Sequence, residues 1–396
     1  MSSGLHADPP FHVAHVGSLL RPRELLEKRS QFENQQCTAA ELKAAEDAAI
    51  AKIVKFQQDL GLRVVTDGEL RRRFYFEGMF ETLEGMTFVP NRSLDECREY
   101  LPYIQVIRAM GMTDTPSVFT TSKIKRSRGV YTEDFKFLKS LVKPEEVETL
   151  KVTIVSPIWL HLRHGSQHTY DLSVYKNDDE YFNDLIQAYC EEINELYALG
   201  CRQIQIDDPG FCFFCAQSMM DGMARAGDDH GALLMQYIAV YNAITKGRPD
   251  DLMIGVHMCR GNRMGMHYCE GGYNAVAEKM FVDLDVDCFY LEYDTDRAGD
   301  FQPLRYLPLG KVAVLGLVTT KNGTLENASD IRARVEEAVE IIAGGYPTRS
   351  REDALRQVCL SPQCGFASTV EGNPLTEEDQ TKKLQLVCEV ARAVWG

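Results

Sequence analysis

Residues 199–209 read Leu199-Gly200-Cys201-Arg202-Gln203-Ile204-Gln205-Ile206-Asp207-Asp208-Pro209. The stretch before it, Asp179–Leu199, mixes apolar and charged residues at helical spacing, and Gly200 is a natural helix stop. Gln203–Ile206 is short, alternates with β-branched isoleucine, and breaks off in two carboxylates and a proline, where a chain turns. A helix, a stop, a short strand and a polar loop make one unit of an α/β fold.

Working outward, the unit repeats. Strands are predicted at Phe11–Ser18, Leu62–Thr66, Lys151–Val155, Met253–Val256, Cys288–Leu291, Val312–Val318 and Ala354–Leu360. Helical patterns fill Leu25–Leu60, Ala232–Thr245, about 330–343 and about 377–394. Strands that alternate with helices imply a parallel sheet with crossover helices, and eight such units predict a closed (β/α)8, or TIM, barrel. The expectation is one catalytic barrel domain over 1–396. A segment of about 77–148, with Gly, Pro and charge clusters such as Val89-Pro90-Asn91-Arg92, is inserted after the second strand.

The chain has 396 residues, 44% of them hydrophobic, and a net charge of −15. An acidic surface argues against nucleic-acid binding, which needs clustered cations. Arg71-Arg72-Arg73 and the Lys123–Arg128 stretch read as solvated surface. No run approaches the ~18 uncharged apolar residues of a membrane span, and no basic segment followed by an apolar run marks a signal peptide. Twelve cysteines in so long a chain fit a cytoplasmic protein with reduced thiols, some of them free to hold a metal.

In a barrel the reacting groups gather at the C-terminal ends of the strands. Asp67-Gly68-Glu69 follows the second strand, Ser156-Pro157 the third and Asp207-Asp208 the fourth. His257 and Cys259 follow the fifth, Glu292 the sixth, Thr319-Thr320-Lys321 the seventh and Cys364 the eighth. Turns explain an Asp or a Ser, but explain poorly two Cys, a His and a Glu at three of the last four strand ends. His257 and Cys259 are two apart, so at a strand end both face one way. Imidazole, thiolate and carboxylate together suit zinc, with His257, Cys259, Glu292 and Cys364 as ligands. Cys212-Phe213-Phe214-Cys215 reads either as a redox pair or as packing, and His161 and His164 either as substrate contacts or as structural groups.

Four blocks resemble the C-terminal catalytic half of cobalamin-independent methionine synthase. They are His15-Val16-Gly17-Ser18, Gln205-Ile206-Asp207-Asp208-Pro209, His257-Met258-Cys259 and Ser361-Pro362-Gln363-Cys364-Gly365. The family shows I-G-S, Q-I-D-E-P, H-M-C and N-P-D-C-G in the same order. Asp67-Gly68-Glu69 matches its G-E pair, and the likeness is to the shorter, stand-alone members of the family. The resemblance implies a (β/α)8 barrel, the same zinc ligands, and a pocket for a homocysteine-like thiol formed by Val16, Gly17, Ser18, Glu69 and Asp207. It implies a methyltransferase of methionine biosynthesis, with Glu69 and Asp207 orienting the acceptor's amino end. Lys321 stands where the family has a catalytic His within a D-I-H-S-like stretch and is expected, as a catalytic residue beside Glu69 and Asp207, to hold the acceptor's carboxylate or assist the leaving group; the W-S-F after the third strand is replaced by Ser156-Pro157-Ile158-Trp159. The partners implied are a small thiol acceptor and a methyl donor; a homodimer is compatible with the sequence, though no residue specifies it. Alkyl transfer from an epoxide or other electrophile to a zinc-bound thiol, and a non-catalytic zinc-binding barrel, stay open as alternatives.

Overall fold

The computed structural model describes residues 12–396. Six parallel strands lie side by side in chain order: β3 (Lys151–Val155), β4 (Gln203–Asp207), β5 (Met253–Met258), β6 (Cys288–Glu292), β7 (Val312–Val318) and β8 (Val358–Pro362). The hairpin strands β1 (Glu84–Ser93) and β2 (Asp114–Lys125) precede them and form a separate antiparallel pair. Two further staves, each reduced to a single parallel bridge, flank the six. Val65 pairs with Leu150 at one edge and Val13 with Leu360 at the other. Between these two staves, Leu19 N–H donates to Gly68 O at 3.0 Å, and Thr66 Oγ1 lies 3.2 Å from His15 Nε2. The circuit is that of an eight-stave (β/α)8 barrel.

Strand alternation divides the core in two. Phe289, Leu291, Ala313 and Leu315 point outward into the large cluster shared with the helices. Cys288, Tyr290, Val312 and Val314 point inward and pack with Ala14, Val16 and Cys359. Both faces of each strand are therefore covered, as parallel sheets require. Burying each aliphatic or aromatic side chain contributes roughly 1.5–3 kcal/mol, so the outer helices are held mainly by this face.

Several boundaries differ from those expected. The predicted helix Leu25–Leu60 is two helices, Arg23–Glu33 and Ala39–Asp59. Thr38 caps the second, accepting from Glu41 N–H while the Glu41 carboxylate accepts from Thr38 N–H. The eighth strand is Val358–Pro362 and not Ala354–Leu360, because Ser350 caps a short helix, Arg351–Arg356, over the first part of the predicted run. Leu62–Thr66 supplies only the Val65 bridge. Of the first predicted strand, Phe11 lies outside the described residues. Strands β4, β5 and β6 run one or two residues further than predicted, so Asp207, His257 and Glu292 belong to the sheet itself.

Residues 77–148 build the β1–β2 hairpin together with helices Pro102–Ala109 and Thr132–Ser140. The hairpin joins the rest of the chain through the Thr120–Tyr170 bridge and through Arg126, which is paired with Glu192 at 2.7 Å.

Candidate metal centre and substrate pocket

Parallel register sets the first pair. Asp207 of β4 and His257 of β5 are Cα partners, so their side chains stand side by side at the mouth of the barrel. His257 Nδ1 lies 2.9 Å from Asp207 Oδ1. A carboxylate only accepts, so Nδ1 carries the proton. His257 Nε2 is buried and has no hydrogen-bond partner.

Cys259 follows β5 by one residue and Cys364 follows β8 by two. The ligating atoms of His257, Cys259 and Cys364 all lie within 4.8 Å of one another, and all three residues are buried. The approach of the Cys364 loop depends on glycine. A Cβ on Gly365 would lie 2.5 Å from Ser18 N, and one on Gly17, whose φ is +67°, would lie 3.0 Å from Gly365 N. Sharing a proton with Cys259, and facing His257, holds the Cys364 thiol well below its ordinary range; the same contact, with burial, pushes Cys259 up. Burial disfavours charge on His257, yet Asp207 and Cys364 raise its imidazole to about 10. The donor set fits a metal ion: two thiols, one primed as thiolate, face an imidazole nitrogen with no other partner.

Glu292, the fourth expected ligand, is not part of this convergence. It is wholly buried, but its Oε1 accepts from Arg297 Nε at 2.9 Å and its Oε2 from the Arg260 backbone N–H at 3.2 Å. Burial opposes its charge, while Lys321, Arg297 and Arg260 hold it below the usual carboxylate range. Arg297 also grips Asp294 with both oxygens, at 2.7 and 2.8 Å.

A small pocket opens over the cluster, lined among others by Gly17, Ser18, Asp207, Tyr75 and Tyr268. Glu69 does not line the cavity; it lies buried behind Ser18 with φ +56°, where Ser18 Oγ and Thr153 Oγ1 (2.9 Å) both donate to its carboxylate. Burial raises the Glu69 carboxyl, Arg72 lowers it and Asp207 raises it. Asp207 Oδ2, like His257 Nε2, is buried without a partner. Val16 does not line the cavity; it packs below it with Ala14 and Tyr290. Lys321 is buried too, and its Nζ donates to Gly261 O at 2.8 Å, on the loop after Cys259.

The sequence left several neighbours unread. Tyr75 and Tyr268 form the aromatic wall, backed by Tyr103 and Trp159, with Tyr103 5.2 Å from Tyr268 and 5.8 Å from Trp159. Asn262 clamps the Cys364 loop through Gly365 O (2.8 Å) and Ser368 Oγ (3.0 Å). His161 and His164 are structural: the first is held by Tyr237 and Asp178, the second by Ser117 and Glu96 O. Cys212 and Cys215 are buried free thiols.

A sequence model of the cobalamin-independent synthase catalytic domain matches residues 11–135 and 146–392. The chain belongs to this family. Among its relatives, Bacillus subtilis YxjG is 38% identical over 390 residues, covering 98% of this chain and 95% of the relative. The methionine synthase of Saccharolobus solfataricus is 23% identical over 387 residues, covering 95% and 97%. A Listeria monocytogenes structure described as a vitamin-B12-independent methionine synthase superposes with TM-score 0.73 at 32% identity, covering 98% of each chain. A B12-independent methionine synthase from a Shewanella species, at 19% identity and TM-score 0.67 over 97% of each chain, shares the fold. This member of the cobalamin-independent synthase family is thus a methionine-synthase-like methyltransferase acting on small molecules. No helix among its described residues is long and apolar enough to cross a membrane.

Proposed function

We propose that the protein is a zinc-dependent S-methyltransferase that moves a methyl group onto a small thiol of the homocysteine class. The observation that carries this reading is His257 Nε2, buried without a partner and facing the sulfurs of Cys259 and Cys364. We assign His257, Cys259 and Cys364 as standing ligands. Glu292, engaged by Arg297, is the exchangeable fourth. Catalytic zinc sites keep one open or exchangeable position, and with His257, Cys259 and Cys364 holding the ion that position would be open to a substrate thiol. Bound there, zinc supplies the charge that keeps a thiol ionised near neutral pH.

The chain's own groups do the rest. Glu69, oriented by Ser18 and Thr153, and the free Oδ2 of Asp207 offer anionic partners to an α-ammonium. The thiolate forms the new S–C bond as the donor–methyl bond breaks, and the donor leaves with the electron pair. Lys321, pinned to Gly261 O, anchors the loop that follows Cys259 and acts through position. This is a change of role for Lys321 from that of a catalytic residue. We further propose one catalytic barrel with residues 77–148 inserted, working in the cytoplasm, where twelve unpaired cysteines stay reduced.

Zinc per chain in protein purified without chelator, followed by transfer of labelled methyl to homocysteine from candidate donors, tests the proposal. About one zinc and a labelled thioether are expected. Protein with no stoichiometric metal would overturn the zinc reading, and zinc-loaded protein that methylates no thiol would overturn the acceptor assignment.

A further inference from the structure

Inside the barrel, one layer below the ligands, lies a lysine with almost no exposure. Lys151 begins β3 and points inward. Its Nζ donates to His15 O at 2.8 Å and to Gln205 Oε1 at 2.7 Å, and it sits 4.7 Å from the centre of the Tyr290 ring. The ammonium thus has three directed contacts for its three protons. Space for the ring comes from Gly255, where a Cβ would come within 2.7 Å of Tyr290 Cε2. Burial lowers the Lys151 ammonium to about 8, while Asp207 works in the opposite direction.

The contacts continue upward with a fixed polarity. An ammonium only donates, so Gln205 turns its carbonyl oxygen to Lys151. Its Nε2 therefore faces up and donates to Asp207 Oδ1 at 2.7 Å. Gln205 and Asp207 are two apart on β4 and share a face. The same Oδ1 accepts from His257 Nδ1. Four residues on three neighbouring strands, β3, β4 and β5, so form one hydrogen-bonded column from the barrel floor to the ligand cluster.

We propose that Lys151 and Gln205 are positioning residues for the metal centre: they lock Asp207 so that His257 is held with Nε2 toward Cys259 and Cys364. The inference rests on the zinc reading above for what Nε2 receives, but the column is made of the chain's own hydrogen bonds. With Lys151 gone, the Gln205 amide loses the contact below that fixes its position, and only its bond to Asp207 is left to hold it. With Gln205 gone, Asp207 keeps one side-chain partner and can rotate. Partners one shell beyond a metal's ligands typically contribute 10–100-fold to metal affinity.

The test uses full-length Lys151→Met, Gln205→Leu and the double variant, the first chosen to keep side-chain volume. Two quantities are read: zinc affinity by competition with a chromophoric chelator, and the His257 Nδ1–H resonance in zinc-free, histidine-labelled protein. The resonance is assigned by its loss in His257→Gln. Each single variant is expected to bind zinc about 10–100-fold more weakly and to shift the resonance, with the double no worse than the weaker single. A core variant far from the column, Leu185→Ala, gives the control for a fall in thermal stability alone. Unchanged zinc affinity and an unmoved resonance in variants that melt as early as the control would overturn the proposal. A wild type that takes up no zinc, while the resonance still moves in the variants, would sink the zinc reading and leave the column standing.

Discussion

Replacing Glu292 with Gln separates its observed role, partner of Arg297, from the one proposed for it, exchangeable ligand of zinc. In the metal-free protein the substitution removes a buried carboxylate 2.9 Å from Arg297 Nε. Breaking an isolated buried ion pair costs roughly 3–5 kcal/mol. Here Arg297 keeps both oxygens of Asp294 at 2.7 and 2.8 Å, so its charge is not orphaned and the cost falls to about 1–3 kcal/mol. Unfolding entropy of about 2.1 cal/mol/K per residue gives roughly 0.8 kcal/mol/K for a chain of this length, so Tm should drop by about 1–4 °C. The effect on zinc should be small for a related reason. To reach the metal, the carboxylate must leave Arg297 and the Arg260 N–H, giving up about 2–4 kcal/mol of charge-assisted hydrogen bonding. Its net contribution to affinity is then no more than about tenfold, or about 1.4 kcal/mol. Calorimetry on the metal-free variant and chelator competition measure the two numbers. Cobalt substitution adds a third readout: wild type and variant should differ at rest and become identical once homocysteine is added. A Glu292→Gln protein that no longer binds one zinc would refute the exchangeable assignment, and an unchanged metal-free Tm would refute the ion-pair account.

Cys259→Ser should lose stoichiometric metal and methyl transfer together, as read by metal analysis; retained zinc would remove Cys259 from the ligand set. Glu69→Gln should keep its zinc but raise the acceptor KM about 10–100-fold, the worth of one charge-assisted contact to an ammonium, in steady-state kinetics. Asp207→Asn should weaken both zinc affinity and acceptor binding, because Oδ1 serves His257 and Oδ2 faces the cavity; an effect on only one of them would show that the two oxygens are not divided in this way. His15 is buried beside Lys151, and burial with that charge lowers its imidazole to about 3. Below pH 6.5 the unfolded chain takes up a proton that the folded chain refuses, so stability is complete above 6.5 and declines as pH falls toward 3. At pH 5 the loss from His15 is about 2 kcal/mol, and a urea titration of His15→Gln should show a shallower acid limb, with His161 and His164, lowered mainly by burial, supplying the remainder.

How far these features could be read from sequence depended on how local their causes are. Lys151–Val155 and Val312–Val318 agree to the residue, since a short run rich in valine, isoleucine and leucine on a doubly covered strand announces itself. The eighth strand was misplaced because Ala354 and Leu355 look apolar enough for a strand. The Ser350 cap, whose oxygen accepts from Asp353 N–H, turns them into a helix instead. His257, Cys259 and Cys364 were legible from type and strand-end position, and the structure brings them together. Glu292 was legible as a strand-end acid, but its burial and its engagement by Arg297 were not, because an Arg five residues on reads as ordinary loop charge. Tyr75 and Tyr268 carried no signal, since an aromatic beside a loop is more often packing than a pocket wall.

The column below His257 shows the same limit from the other side. Gln205 sits inside a motif that was read for its aspartate, and Lys151 heads a strand that was read for its valines. Neither residue type suggests a metal centre. What relates them is the parallel register of β3, β4 and β5, which sets Lys151 beside Gln203, and Asp207 beside His257, and brings every second side chain of β4 onto the inner face. An inward-facing lysine in a barrel otherwise floored by Ala14, Val16, Val312 and Val314 costs desolvation that apolar packing would avoid. Placed there, it orders an amide, the amide orders a carboxylate, and the carboxylate aims an imidazole. The polar layer is therefore best understood as the foundation of the ligand cluster and not as part of the packed core, which is why its removal should be felt in metal affinity before it is felt in the fold.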